Sequence, residues 1–188
     1  MPRVAIVIPA LNCAKSIGEA LVSCLNQEYS ELELILIDDG STDDTYDVAS
    51  AVAEQDPRIR IIRQPNGGIA NALNAGLRGL ADDIEYIARM DGDDIMLPGR
   101  IASQVDYLDK HTEISVVTGR VKIGCLGGQL EQDGMVRYVQ WLNSHSSAED
   151  FARSMFIESP VCHPAAMIRR KALEDVGGYH DMAWTEDY

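Results

Sequence analysis

The sequence contains no long apolar run and few basic residues. No segment approaches the roughly 20 consecutive apolar residues of a transmembrane helix. Only the short apolar run 4–8 follows the amino terminus before Pro9, so we expect neither a membrane segment nor a secretory signal. The 16 Lys and Arg against 30 Asp and Glu give a formal net charge of −14. This charge repels nucleic-acid phosphates and anionic lipids, so we expect no nucleic-acid partner.

Cysteine is also scarce, and its spacing is not that of a metal site or a redox motif. The 4 cysteines, Cys13, Cys24, Cys125 and Cys162, form no CxxC pair and no Cys/His spacing typical of zinc. Free thiols in a reducing compartment are the simplest interpretation, so we expect a cytoplasmic location. Association of a longer chain with the inner face of a membrane stays open at this point.

Several nucleotide-binding and nucleophile motifs are absent as well. The sequence has no GxxxxGK[ST] loop, and Pro9-Ala10-Leu11-Asn12 stands where GxGxxG would follow the first strand. No Gly-x-Ser-x-Gly elbow is present. These absences argue against a P-loop NTPase, a dinucleotide-dependent oxidoreductase and a serine nucleophile.

The hydrophobic pattern of the first half predicts alternating strands and helices. Short continuous apolar runs are typical of strands buried on both faces, and apolar residues three and four apart are typical of amphipathic helices. The predicted strands are 4–8, 32–37, 58–63 and 84–90, with a helix between each pair. This order predicts an α/β fold with a mostly parallel, Rossmann-like sheet and helices on both of its faces.

Two of these helices begin with the pattern of a capping box. Ser16 stands three residues before Glu19, and Ser41 stands three residues before Asp44. In a capping box the serine hydroxyl accepts a hydrogen bond from the third helical residue. We therefore expect both serines to act as helix N-caps.

The second half of the chain has a different pattern. A helix is predicted after Pro98, followed by a strand at 114–118. The glycines of 119–140 indicate short strands joined by turns. A further strand is predicted at 165–169, and a helix at 170–176.

Polar clusters follow three of the predicted strands, at the edge where open parallel sheets bind ligands. They are 9–12, 38–41 and 91–94. In an extended segment Asp91 and Asp93 face the same point, and their carboxylates repel each other unless a cation lies between them. Such oxygens suit Mg²⁺ or Mn²⁺, which share their coordination with substrate phosphates. Each cluster alone is also compatible with a turn.

Ordered blocks of this sequence resemble the family 2 glycosyltransferases of GT-A fold. The blocks are 4–12, 37–43, 66–68 with 74–77, 90–94, and 163–164 with 177–179 and 186–188. Together they extend over nearly the whole chain. One position departs from the family pattern, because Leu73 stands where relatives often carry Arg in Ala-Arg-Asn-x-Gly.

The resemblance implies a metal-dependent transfer of a sugar from a nucleoside diphosphate sugar, with UDP as the expected nucleotide. The acceptor is expected to be a hydroxyl of a saccharide or lipid-linked molecule, with inversion at the anomeric carbon. Many members of this family serve polysaccharide and cell-envelope assembly in bacteria. The resemblance divides one continuous domain into a nucleotide-sugar-binding half, 1–94, and an acceptor-binding half, 95–188. Since relatives continue past the Glu-Asp motif, it also implies a catalytic domain truncated at its carboxyl end.

The resemblance also implies roles for individual residues. Asp39 is expected to accept a hydrogen bond from the base, and Asp93, with Asp91 beside it, to hold Mn²⁺ or Mg²⁺. Asp187, with Glu186, is expected to be the general base for the acceptor hydroxyl. The nucleotide-binding positions are Pro9, Ala10, Leu11, Asn12, Asp39, Asn66, Gly68 and Asp91.

The acceptor side has two further candidate residues, His163 and Trp184. His163 is expected to contact the acceptor or the leaving phosphate, and Trp184 to offer a stacking surface. A hydrogen-bonded structural histidine and simple packing of the indole remain the alternatives for these two residues.

Two other functions stay open. A sugar nucleotidyltransferase uses a similar sheet and acidic metal ligands, but it normally opens with a glycine-rich basic loop that 9–15 does not provide. A non-catalytic module for sugar nucleotides would bind UDP in a metal-dependent way without turnover.

Overall fold

Strands and helices alternate along residues 3–124 and 133–180, which are the residues described by the structure, a computed structural model. A single turn of 3₁₀-helix, His163–Ala165, precedes the last strand. The elements are β1 (Arg3–Ala10), α1 (Ile17–Leu25), β2 (Leu32–Asp38), α2 (Thr45–Ala53), β3 (Ile59–Arg63), α3 (Ile69–Arg78), β4 (Ile84–Arg89), α4 (Arg100–Lys110), β5 (Val116–Thr118), α5 (Asp133–Ser144), α6 (Ala148–Ser154), β6 (Ala166–Arg169) and α7 (Arg170–Asp175).

The strands form one six-stranded sheet in the order β3-β2-β1-β4-β6-β5. The first four strands are parallel, and β6 runs antiparallel to both β4 and β5. This arrangement confirms the predicted mostly parallel α/β sheet. The central strands β1 and β2 are apolar over most of their length because both of their faces are covered.

Helices cover both faces of the sheet, as predicted. On one face, α1, α2 and α4 contribute buried side chains such as Leu21, Ala49 and Ile101 to the core. On the other face, α3 and α7 contribute Leu73 and Leu173. Within 3–124 and 133–180 no helix is long and apolar enough to cross a membrane.

The predicted capping box at Ser16 is wrong. Ser16 does precede α1, but its side chain caps no helical N–H. The hydroxyl of Ser16 instead donates to the carbonyl oxygens of Cys13 at 3.2 Å and Gly92 at 3.0 Å. A tertiary contact with the loop after β4 therefore replaces the local bond that the spacing predicted.

The predicted capping box at Ser41 is also wrong. The helix begins later, at Thr45, and the Ser41 hydroxyl accepts a hydrogen bond from the backbone N–H of Asn12 at 3.0 Å. A capping box that the sequence reading missed does form at α6, where Ser147 and Asp150 cap each other's backbone N–H groups.

The prediction of short strands over 119–140 is wrong for the part of that segment that is described. Residues 133–144 form the helix α5, and 125–132 lie outside the described residues. Met135, Tyr138 and Leu142 recur at the three- and four-residue spacing of a helix, and Leu142 is buried. The glycines around position 127 favour turns, but the residues that follow them have helical spacing, and this spacing is what the structure shows.

We predict that a methyl group at Gly76 destabilises the packing of α3 on the sheet. A Cβ at Gly76 would lie 2.6 Å from Val7 Cγ1 and 2.9 Å from Ile37 Cδ1. Gly76→Ala should therefore lower the free energy of unfolding by about 1–3 kcal/mol, measured by urea denaturation. The matched control is Gly134→Ala in α5, where no atom of the described residues outside the helix's own backbone lies within 4 Å of the added carbon. That variant should gain about 0.5–1 kcal/mol, and equal stability of the two variants would contradict the prediction.

Candidate functional site

The loops that follow β1 and β2 are joined by hydrogen bonds at the carboxyl edge of the sheet. The side-chain oxygen of Asn12 accepts a hydrogen bond from the backbone N–H of Thr42 at 2.8 Å. Asn12 adopts a left-handed backbone conformation with φ of 52°, which Asn tolerates better than most residues. This conformation turns the chain out of β1 and leaves the Asn12 side chain facing the second loop.

Asp39 holds the loop between β3 and α3. Its carboxylate accepts hydrogen bonds from the Gln64 side chain at 2.6 Å and from the backbone N–H groups of Gly67 at 3.0 Å and Gly68 at 2.9 Å. Asp39 is only 4% exposed. The carboxylate therefore fixes the entry to α3, and the predicted nucleotide-binding residues Asn66 and Gly68 lie beside it.

The predicted nucleotide-binding residues of the first loop divide into two groups. Pro9 and Ala10 lie in β1, pair with Ile37 and Asp38 of β2 and are buried. Leu11 and Asn12 are exposed, and Leu11 retains 46% of its surface. A ligand at this edge therefore meets Leu11 and Asn12 first.

A buried arginine lies under the acidic cluster that follows β4. The side chain of Arg89 is 2% exposed, and its Nη1 donates to Oδ1 of Asp91. Sequence reasoning missed this residue, although Arg89 and Asp91 are two positions apart, as are Asp91 and Asp93. Arg89 fixes the direction of the Asp91 carboxylate.

The carboxylates of the acidic cluster lie close enough to influence one another. Desolvation raises the pKa of Asp94, and the negative charges of Asp91 and Asp93 raise it further. Asp93 and Asp94 are both exposed. The cluster is therefore a region of concentrated negative charge that faces solvent.

The donor chemistry of Asp91 and Asp93 fits a hard divalent cation, because carboxylate oxygens are the ligands that Mg²⁺ and Mn²⁺ prefer. Across 3–124 and 133–180, no group of three or more His, Cys, Asp or Glu side chains is arranged to hold a metal ion. The two aspartates supply an incomplete set of ligands, as expected where phosphate oxygens complete the coordination.

Arg100 joins the end of β4 to the turn before β6, and the sequence reading missed it too. Its guanidinium donates to the carbonyl oxygens of Arg89 at 2.9 Å, Pro164 at 2.8 Å and Ala166 at 3.0 Å. Burial lowers the pKa of Arg100 to about 10, so the side chain stays cationic near neutral pH. Carbonyl oxygens thus stabilise a buried cation directly behind the acidic cluster.

His163 lies at the same edge of the sheet, in the turn that leads into β6. Its Nε2 is 3.3 Å from the hydroxyl of Tyr179. Burial and the charge of Arg89 lower the pKa of His163 to about 4, so the imidazole is neutral at physiological pH. Trp184, Glu186 and Asp187 lie outside the described residues.

A cavity of about 1050 Å³ opens beside the acidic cluster, between α4, β5 and α5. Asp93 and Asp94 belong to its lining. Its walls are largely apolar and include Met96, Leu97 and Leu142. The cavity thus shares Asp93 with the candidate cation site.

The sheet order, the helices on both faces and the acidic loop after β4 define a GT-A fold, and sequence comparison gives the family. Glycosyl transferase family 2 matches residues 5–177. The chain belongs to this family.

Individual relatives agree with this assignment. EpsE of Bacillus subtilis strain 168, assigned as a glycosyltransferase, is 34% identical over 98% of this chain and 62% of its own length. A chondroitin synthase of Escherichia coli is 30% identical over 96% of this chain and 24% of its own length. The chain thus spans less than two thirds of either relative.

A solved structure shows the same fold. The mannosyltransferase PcManGT from Pyrobaculum calidifontis, in complex with GDP-Man and Mn²⁺, superposes with a TM-score of 0.69 at 26% identity. The match covers 95% of this chain and 48% of that chain.

We predict that Asp39→Asn loosens the loop between β3 and α3. An amide nitrogen would replace one carboxylate oxygen, so a donor would face a donor at Gln64, Gly67 or Gly68. The cost should be about 1–3 kcal/mol in the free energy of unfolding, together with faster hydrogen exchange of the Gly67 and Gly68 amides. Asp44→Asn is the control, since Asp44 is exposed and caps no helical N–H. Unchanged exchange at both glycines would refute the prediction.

Proposed function

We propose that this chain transfers a sugar from a nucleoside diphosphate sugar to a hydroxyl group of a saccharide or lipid-linked acceptor. The observation that carries the proposal is the meeting of three loops at one sheet edge, in spatial order: the Asp39-held loop before α3, the loop after β1, and the acidic cluster after β4. A base, a ribose and a diphosphate joined in one ligand match these three loops in order. Family membership over residues 5–177 supports the same reaction class.

The base of the donor is assigned to the Asp39 side of the site. Oδ2 of Asp39 accepts one hydrogen bond, from Gly68, and a carboxylate oxygen has room for a second. Uracil offers N3–H as the donor, and UDP is therefore the proposed nucleotide. Guanine offers N1–H in a similar way, and the GDP-Man complex of PcManGT makes GDP the alternative that the experiment must separate.

The diphosphate is assigned to Asp93 and Asp91, which would hold Mn²⁺ or Mg²⁺. When bound, the cation supplies positive charge for the departing diphosphate. The chain's own contribution is the fixed direction of Asp91, which Arg89 sets. A cation is needed here because the acidic cluster by itself repels phosphate.

The acceptor is assigned to the cavity beside Asp93, whose apolar walls suit a sugar ring face or a lipid-linked carrier. Asp187, with Glu186, is proposed to take the proton from the attacking hydroxyl, and Trp184 to stack on the acceptor. A direct displacement of this kind inverts the anomeric carbon. Similarity to a chondroitin synthase supports a place in polysaccharide or cell-envelope assembly.

A thermal-shift experiment tests the proposed donor and metal together. UDP or UDP-glucose should raise the melting temperature with Mn²⁺ present and not with EDTA, and GDP should do so less. A ligand at 100 times its dissociation constant stabilises by about 2.7 kcal/mol. Equal stabilisation in EDTA would rule out the cation, and a larger shift with GDP would reassign the base. Metal-dependent binding without any release of UDP from a UDP-sugar would instead favour a non-catalytic binding module.

We predict that Asp93→Ala abolishes metal-dependent UDP binding, because it removes an exposed carboxylate of the proposed cation site. Isothermal titration of UDP in Mn²⁺ measures the loss. Asp47→Ala serves as the control, since it removes the same charge from an exposed position on α2. If the two variants lose affinity equally, overall charge rather than the cluster governs binding.

A further inference from the structure

The side-chain amide of Asn74, in α3, forms hydrogen bonds with both the backbone N–H and the backbone carbonyl of Tyr179. The Asn74 amide donates to the carbonyl oxygen of Tyr179 at 2.7 Å, and its oxygen accepts from the Tyr179 N–H at 2.9 Å. A Cβ at Gly178 would lie 2.6 Å from this amide oxygen, so the close approach depends on the glycine. The amide joins two parts of the chain that are 105 residues apart in sequence.

The Tyr179 side chain is held against His163. The two rings lie 5.4 Å apart between centroids, and the Tyr179 hydroxyl is 3.3 Å from His163 Nε2. Burial raises the pKa of Tyr179 to about 12, so both rings are uncharged near neutral pH. A phenol that shares one hydrogen bond with His163 has further capacity to bond a ligand hydroxyl.

The strand order of the sheet places His163 and Tyr179 beside the acidic cluster, on its side away from Asp39. Along the edge, the end of β2 carries Asp39, β1 lies beside it, and β4 follows with Asp91. The next strand is β6, and because it runs antiparallel, its first residues and His163 before them lie beside the end of β4. From β2 to β6 the edge measures three strand spacings, about 14 Å.

A nucleoside diphosphate sugar has its parts in the order base, ribose, diphosphate and sugar. With the base at Asp39 and the diphosphate at Asp91 and Asp93, the sugar reaches the position of His163. We propose that His163 and Tyr179, held in place by Asn74, form the wall of the subsite that takes the donor's sugar. This inference rests on the proposed function, and it moves His163 from the acceptor or leaving phosphate to the sugar of the donor.

Isothermal titration in Mn²⁺ tests the subsite, with UDP and UDP-glucose as one ligand pair and GDP and GDP-mannose as the other. Asn74→Ala should weaken binding of the sugar nucleotide about fivefold, as expected for lost hydrogen bonds. Its affinity for the matching free nucleotide should stay within about twofold, because base and diphosphate lie elsewhere on the edge. Tyr179→Phe should likewise weaken binding of the sugar nucleotide but not of the free nucleotide. This variant keeps the hydrogen bonds between Asn74 and the Tyr179 backbone, so it tests the subsite even if Asn74→Ala folds poorly.

Asn143→Ala is the matched control. The Asn143 amide makes the same two bonds to a backbone, accepting from the Val121 N–H at 2.9 Å and donating to the Val121 carbonyl at 2.8 Å. It should change neither affinity. Three results would overturn the subsite and leave the proposed function standing. They are an equal loss of affinity for free nucleotide and sugar nucleotide in Asn74→Ala, unchanged affinities in Tyr179→Phe, and a selective loss of sugar-nucleotide affinity in Asn143→Ala. A wild-type protein that binds neither ligand pair would overturn the proposed function and the subsite together.

Discussion

Parallel pairing of β1 with both β2 and β4 decides where three loops of the candidate site lie. Because the three strands run in the same direction, the residues that follow them emerge at one edge of the sheet. The register pairs Ala10 with Asp38 and Val7 with Arg89. Residues that are tens of positions apart in sequence therefore become neighbours, and without this pairing they would form only separate turns.

Buried arginines give the acidic edge its rigidity. The chain carries a formal charge of −14, yet the two arginines behind the acidic cluster are withdrawn from solvent. Arg89 is paired with Asp91, and Arg100 is surrounded by carbonyl oxygens of β4, the turn before β6 and β6 itself. Removing a partner from such a cation is costly because the charge stays buried. These contacts hold the acidic loop and the His163 turn in one arrangement.

The antiparallel strand β6 connects the second half of the chain to this edge. In a sheet that is otherwise parallel at its centre, a reversed strand brings its first residues, not its last, to the carboxyl edge. His163 reaches the site in this way, and Tyr179 follows after α7 returns the chain to α3. The same topology leaves the cavity between α4 and α5 open beside Asp93.

The sequence by itself determined the alternating α/β architecture, because continuous apolar runs and three- to four-residue spacings follow directly from burial on two faces or one. It also placed Asp39, Asp91 and Asp93 at strand ends, and the order of its motifs indicated the family that the comparison confirmed. It misjudged Ser16 and Ser41, because a hydroxyl that local spacing assigns to its own helix is free to bond a distant loop once the chain is folded. Only the tertiary structure revealed the contacts of Arg100 with the turn before β6 and the Asn74–Tyr179 pair. Hydrogen bonds between residues far apart in sequence leave no periodic trace, so the fold alone decided which side chains meet.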